Sequence, residues 1–158
     1  MKKYVKSKAA VLFSCMLISA MILGAVTAVG DGEATLVSID PVIQSVSPGE
    51  TFIVNVSCVP GQPIKSFEFK LSFDASLLQA NSVSEGDIFD GYTTFFNDGT
   101  INNTAGTIVD VYDLIVGAGA VSGSGVLVTI SFTALGTTGT SYLTLSGVGV
   151  TNSTDYVP

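Results

Sequence analysis

The sequence predicts an all-β sandwich, and three observations lead to that fold class. Short stretches rich in β-branched and aromatic residues recur about every ten residues, separated by turn pairs such as Pro48-Gly49 and Pro60-Gly61. Outside the N-terminus, no segment carries an apolar stripe at helical spacing. Charged residues make up only 12% of the chain while apolar residues make up 47%, which is typical of a folded module and not of a disordered chain.

Seven strands are predicted with definite bounds, and an eighth, shorter strand is expected within Leu78–Val83. The seven are Ala34–Ile39, Thr51–Val59, Ile64–Phe73, Thr93–Asn97, Gly106–Asp113, Gly125–Ala134 and Ser141–Val150. The segment Asp74–Leu78 has room for one helical turn that Asp74 can cap. The chain after the N-terminal segment is therefore expected to form one domain, residues 34–158.

Alternation predicts which side of each strand is buried. In Ile64–Phe73, the apolar residues Phe67, Phe69, Leu71 and Phe73 alternate with Ser66, Glu68, Lys70 and Ser72. The same pattern sets Val109 and Val111 against Asp110 and Tyr112, and Val126, Val128, Ile130 and Phe132 against Leu127, Thr129 and Ser131. We expect the apolar sides to pack against a second sheet and the polar sides to face water or a partner.

Residues 1–28 are typical of a secretory signal peptide. Lysines at positions 2, 3, 6 and 8 precede an apolar run, and Val26-Thr27-Ala28 supplies the small residues needed for cleavage. The alternative is an uncleaved anchor, because the run approaches the length of a membrane span. We expect cleavage shortly after Ala28 and a secreted protein, extracellular or at the cell surface.

Loss of the signal peptide would make the module strongly acidic. Two lysines and thirteen acidic residues would remain, a net charge of −11. Such a chain is repelled by nucleic acids and by anionic lipid surfaces, so neither is an expected partner.

No catalytic arrangement is expected. Histidine is absent, and Cys58, the single cysteine after the leader, alternates with apolar residues as a core residue does. The carboxylate pairs Glu85–Asp87 and Asp110–Asp113 are more simply interpreted as solvated surface than as a glycosidase acid and base. Asp90 follows the first pair, but the order of a calcium loop is lacking. We expect neither an enzyme nor a bound metal or cofactor.

Three Asn-x-Ser/Thr sequons make Asn55, Asn102 and Asn152 candidates for glycosylation. With serine and threonine this common, about one such sequon would arise by chance, so the pattern is suggestive only.

Five segments, taken in order, resemble the cohesin family of dockerin-binding modules. They are Pro48–Val56, Val59-Pro60, Ile64–Asp74, Val83–Ile88 and Gly125–Phe132. The resemblance implies a jelly-roll β-sandwich of about eight to nine strands that binds dockerins, small calcium-loaded helical domains carried by secreted proteins. Family members usually continue past the position of Val157-Pro158 into a last strand beside the first. Either the reading frame is truncated, or one sheet edge is bare.

The resemblance also implies a binding face on the third and fifth strands, with Ser66, Glu68, Lys70, Asp110 and Tyr112 as partner-binding residues. Two other functions stay open. One is a carbohydrate-binding module, which would bind polysaccharide, but tryptophan is absent and no strand shows a row of outward aromatics. The other is a structural module of the cell surface. A role in polysaccharide breakdown would follow from dockerin-bearing enzymes.

Overall fold

The computed structural model describes residues 34–152, together with the backbone of residues 18–19 and 26–28. Most of the predicted signal peptide therefore lies outside the described residues. The strands are β1 (Ile18–Ser19), β2 (Val26–Ala28), β3 (Thr35–Asp40), β4 (Ser45–Val46), β5 (Thr51–Val59), β6 (Ile64–Ser72), β7 (Leu78–Glu85), β8 (Thr100–Asn102), β9 (Thr107–Leu114), β10 (Gly125–Ala134) and β11 (Thr144–Asn152). The described part of the chain holds no helix that is long and apolar enough to cross a membrane.

Two antiparallel sheets form a jelly-roll sandwich, which confirms the predicted fold class. The five-stranded sheet has the order β2-β3-β5-β10-β7, and the four-stranded sheet has the order β11-β6-β9-β8. The short strands β1 and β4 pair with each other. Neighbouring strands are mostly distant in sequence, so the sheets depend on long-range pairing.

The core lies between the two sheets and is built from the predicted apolar sides. The four-stranded sheet and its margin contribute four buried residues, Phe67, Phe69, Leu71 and Phe73. They meet the buried side of the five-stranded sheet: the rings of Phe73 and Phe132 pack edge to face with centroids 5.3 Å apart. Because each buried aromatic ring removes a large apolar area from water, these contacts hold the sheets together.

Cys58 is a core residue, as predicted. It is 1% exposed in β5, and burial raises the pKa of its thiol to about 11. A thiol in such surroundings stays protonated at neutral pH and is a poor nucleophile.

Strand positions are mostly confirmed, with one exception. The predicted strand Thr93–Asn97 does not form a regular strand but joins the neighbouring sheet through isolated bridges at Thr94 and Asn97. The expected turn at Asp74 is present, because the Asp74 carbonyl accepts the amides of Leu77 and Leu78.

Two β-bulges overturn part of the predicted alternation. In β9 the register with β6 shifts between Phe69 and Leu71, so Ile108 is buried and Val109 is only half-buried. In β10 the register with β5 shifts between Val126 and Val128, so Leu127 is buried instead of outward and Val126 is only half-buried. The predictions for Val109, Val126 and Leu127 were wrong because a bulge adds one residue to one strand and so inverts the alternation beyond it.

Candidate partner-binding face

The five predicted partner-binding residues lie together on the outer side of the four-stranded sheet. We call the outward surface formed by Ser66, Glu68, Lys70, Asp110 and Tyr112 the β6–β9 face. Glu68 pairs directly with Tyr112 across the two strands, and four of the five residues line one shallow depression of about 410 Å³. Ser66 lies two residues before Glu68 on β6, opposite Leu114.

Ser66 is fixed by its neighbour on β11. Its hydroxyl lies 2.7 Å from the hydroxyl of Thr151, with which it shares a hydrogen bond. Thr151 is nearly buried, so this pair ties β6 to β11 at one end of the face. The Ser66 hydroxyl therefore offers a partner only the hydrogen-bonding capacity that its contact with Thr151 leaves over.

Glu68 is exposed and leans over a glycine. A Cβ built on Gly149 of β11 would lie 3.0 Å from Glu68 Cγ and 3.0 Å from its Oε1. The missing side chain at position 149 therefore gives the Glu68 carboxylate its room.

Asp110 occupies the β9 bulge in the left-handed backbone region, with φ of 59°. Aspartate tolerates this conformation better than most residues, but it still costs about 1 kcal/mol relative to glycine. The Asp110 backbone carbonyl accepts a hydrogen bond of 2.6 Å from the side-chain amide of Asn97. This bond supports the bulge from the neighbouring segment. The bulge turns the Asp110 side chain to solvent beside Lys70.

Tyr112 is half-buried because a second ring covers part of it. The Phe95 ring stacks on it with centroids 6.1 Å apart and planes 28° apart. Phe95 itself is 56% exposed, and Leu114, two residues beyond Tyr112, is 37% exposed. The sequence prediction missed both residues, although extending the alternation of Asp110 and Tyr112 by one step would have found Leu114.

The segment Thr93–Asn97, which we call the edge segment, brings Phe95 to this face. The Phe95 amide donates to the Leu114 carbonyl at 2.9 Å, and Asn97 and Tyr112 exchange two backbone hydrogen bonds. The edge segment and β8 pair in turn with β9, and Asp98-Gly99 between them lies opposite the Asp110 bulge. Gly99 has φ of +77°, and a Cβ there would lie 2.4 Å from the Val109 carbonyl oxygen, so glycine is required.

Asp113 lies on the inner side of the same region and interacts with the carboxyl group of Glu85, which is exposed at the end of β7. Asp113 is 1% exposed, and burial together with the negative charge of Glu85 raises its pKa to about 7. Its Oδ1 accepts the Leu114 amide at 2.7 Å, while Glu85 Oε1 accepts the Thr94 hydroxyl at 2.7 Å. These contacts join β7, β9 and the edge segment.

The carboxylate pairs weighed from the sequence are arranged differently. Asp110 is exposed and Asp113 is buried, so these two carboxyl groups do not form a pair. The carboxyl group that interacts with Asp113 is that of Glu85. Asp87 Oδ1 accepts the Val126 amide at 2.7 Å and so fastens a loop to β10. The described residues hold no group of three or more His, Cys, Asp or Glu side chains able to bind a metal ion.

Two of the three sequon asparagines can be placed in full. Asn55 is half-buried in β5, and its Oδ1 accepts the Thr129 hydroxyl at 2.9 Å. Asn102 is exposed at the end of β8, and its Oδ1 accepts the amides of Thr104 and Ala105. The side chain of Asn152 lies outside the described residues. Glycosylation stays a prediction.

Two antiparallel sheets packed face to face, with polar and aromatic side chains on the outer side of one of them, define a β-sandwich module. The chain belongs to the cohesin family: the family described as "Cohesin domain" matches residues 35–158. Members of this family are non-catalytic binding modules, which is consistent with the prediction that the chain is not an enzyme.

Comparison with individual proteins agrees with the family. "Cellulose-binding protein A" of Clostridium cellulovorans is 35% identical over 133 residues, which is 78% of this chain but 7% of that much longer protein. A type II cohesin–X-dockerin complex from Acetivibrio cellulolyticus gives a TM-score of 0.62 at 12% identity, covering 88% of this chain and 90% of that one. A non-cellulosomal cohesin from the archaeon Archaeoglobus fulgidus gives 0.54 at 16%, covering 90% and 82%. At these identities the structures show the shared fold.

Proposed function

We propose that this chain is an extracellular receptor module that binds dockerin-bearing proteins through the β6–β9 face. The observation that carries the proposal is that Ser66, Glu68, Lys70, Asp110 and Tyr112 lie together on one exposed sheet surface. Several structurally similar cohesins were solved in complex with a dockerin, which supports the same class of partner here. In such a complex the calcium belongs to the dockerin.

The chemistry of the face supports a protein partner. Tyr112 offers a large, stiff ring with a hydroxyl, a residue type enriched at binding hot spots. Glu68 and Asp110 offer carboxylates that can accept hydrogen bonds from basic residues of the partner. A standard interface would cover about 800 Å² on this side, an area comparable to one sheet face. Dockerin-bearing enzymes would link the module to polysaccharide breakdown.

The test is a calorimetric titration of the secreted chain with a dockerin from the same genome in calcium. We expect Tyr112→Ala and Glu68→Ala to lose at least ~2 kcal/mol of binding free energy while remaining folded. Gln79→Ala is the matched control, because Gln79 is exposed on β7 of the other sheet. It should bind like the wild type.

Two results would contradict the proposal. Wild-type affinity in both β6–β9 variants would place the site elsewhere on the module. A wild type that binds no dockerin but is retained on insoluble polysaccharide would replace the receptor function with sugar binding.

A further inference from the structure

The five-stranded sheet accepts a further strand beside β3. There β2 lies antiparallel to β3, with Thr27 opposite Leu36 and Ala28 opposite Thr35. The residues of β2 end the predicted signal peptide, and cleavage after Ala28 would remove them. β3 would then form the border of the sheet, and the backbone groups that face β2 would lose that partner. We call this side of the sheet the β3 border.

The β3 border lacks the features that protect the other sheet borders. Leu36 through Asp40 pair one to one with Val59 back to Asn55 of β5, so this stretch of backbone is regular. By contrast, β7 and β11 each pair with a shift in register, and β8 has only three residues. Short length and bulges keep sheet borders from joining other chains. Among the described border strands of the sandwich, β3 without β2 is therefore the one open to a further strand.

The side chains at the β3 border are apolar or uncharged. Leu36 is 39% exposed and Val59 is 54% exposed, and the two lie opposite one another on the outer side of the sheet. The next outward pair is Ser38 with Ser57, both half-buried. β3 and β5 together carry one charged residue, Asp40, in a chain with thirteen acidic residues. A second copy of so acidic a chain meets little repulsion here.

The alternation of β3 allows this strand to pair with itself. Residues that lie opposite one another in an antiparallel pair project to the same side of the sheet, so inward Val37 must face an inward residue. The register that sets Val37 opposite its counterpart in the second copy meets this condition. It places each Leu36 diagonal to its counterpart, within contact distance, and leaves Asp40 beyond the junction. Such a contact is two-fold symmetric, so it covers both open borders at once and closes as a dimer.

We propose that loss of the leader uncovers the β3 border and that a second copy of this chain fills it, giving a two-fold dimer. A continuous sheet would then run through both molecules, with β3, β5, β10 and β7 of each. The β6–β9 face belongs to the other sheet and stays free in both copies. The interface does not depend on the proposed function, but together with it the dimer would bind two dockerin-bearing proteins.

The first test is sedimentation of the exported chain, shown by mass spectrometry to begin after Ala28. We expect a reversible monomer–dimer equilibrium that strengthens as salt is raised, because salt screens the repulsion between two acidic molecules. Leu36→Glu should weaken the dimer at least ~10-fold, since it sets two like charges at the junction. Ile53→Glu is the matched control, because Ile53 is exposed on the same side of the sheet but lies on β5, between β3 and β10. It should dimerise nearly as the wild type does.

The second test is cross-linking with a short bismaleimide. Ser38→Cys and Ser57→Cys form a matched pair, because these serines lie opposite one another and only Ser38 is on the border strand. We expect covalent dimers of Ser38→Cys and none of Ser57→Cys. The wild type, whose Cys58 is buried, should not cross-link.

Three results would overturn the inference. They are a chain that stays monomeric at every concentration, equal dimerisation of Leu36→Glu and the wild type, and equal cross-linking of the two cysteine variants. Retention of the leader on the exported chain would also overturn it, because β2 would still cover the border. If the dimer forms but binds no dockerin, the interface stands and only the proposed function fails.

Discussion

The outer faces of the two sheets are built in opposite ways. The outer side of the five-stranded sheet, which we call the β5–β10 face, carries exposed Ile53 beside hydroxyl and amide groups that bond to one another. Asn81 donates to Thr133 at 2.9 Å, and Thr51 shares a bond with Thr133 at 3.2 Å. The β6–β9 face carries carboxylates, a lysine and stacked rings. Both faces cover the same core, so the difference lies in chemistry directed outward and not in packing.

Register shifts occur in both sheets, but among the described residues only the β6–β9 face holds a residue other than glycine at positive φ. On the β6–β9 face the β9 bulge holds Asp110 at a positive φ, and Gly99 and Gly147 lie in neighbouring irregular positions. Polar groups that satisfy one another leave little for a partner, whereas a bulged surface with rings and charges offers varied contacts. This comparison favours the β6–β9 face for recognition.

The largest expected effect tests whether the shared core lies beneath the recognition face. Phe69→Ala should lower the free energy of unfolding by ~3–5 kcal/mol, because the ring is 2% exposed and its loss leaves a cavity. Ile53→Ala, on the β5–β10 face, should cost less than ~1 kcal/mol. Urea unfolding of both variants measures the difference. A loss under ~1 kcal/mol for Phe69→Ala would mean that this side of β6 is not core.

The next effect tests the irregular backbone of the β6–β9 face. Gly99→Ala should cost ~2–4 kcal/mol, since alanine would be strained at positive φ and its Cβ would collide with the Val109 carbonyl oxygen. Gly49→Ala is the matched control, because Gly49 also has positive φ but meets nothing within 4 Å. Gly49→Ala should lower the free energy of unfolding only by the backbone strain, ~1–2 kcal/mol. If thermal or urea unfolding shows the same loss of stability in both variants, the close approach of the chain at Gly99 does not contribute to the effect.

The smallest effect concerns buried Asp113 and its carboxyl neighbour Glu85. The pKa of Asp113 is raised to about 7, so the folded chain binds this proton more tightly than the unfolded chain does. Its contribution to stability is therefore full below about pH 4, the pKa range of an unfolded aspartate, and is lost as the pH rises toward 7. A rise in this pKa from its usual range to about 7 corresponds to at most ~4 kcal/mol. Because the charge of exposed Glu85 is screened by solvent, we expect the wild type to lose ~2 kcal/mol of stability between pH 4 and pH 8.

Asp113→Asn isolates that contribution. The amide oxygen can still accept the Leu114 amide, and the side chain cannot ionise. The variant should lose less stability than the wild type over this pH range and should be the more stable protein at pH 8. Asp98→Asn, at an exposed position, controls for the change in net charge. If the wild type and Asp113→Asn show parallel pH profiles, Asp113 does not titrate in this range.

The sequence-based prediction succeeded where the alternation is unbroken. The apolar side of Ile64–Phe73 is buried as expected, and Thr51–Val59 and Gly125–Ala134 have the predicted bounds. It failed at Val109 and Leu127, because a bulge depends on the neighbouring strand and alternation within one strand does not record it. The family resemblance predicted the residues of the β6–β9 face. The positions of Phe95 and of the Glu85–Asp113 pair could not be predicted, because they depend on pairing between segments that are distant in sequence.

Both outer strands of the four-stranded sheet are interrupted, and this affects how copies of the module meet one another. β8 is three residues long and is separated from the edge segment by Asp98-Gly99, while β11 changes register around Gly147, which has φ of 56°. A long, flat strand at a sheet border would allow sheets of neighbouring molecules to join into fibres. Here the borders of the four-stranded sheet offer only short stretches of regular backbone, which disfavours edge-to-edge joining of copies through that sheet.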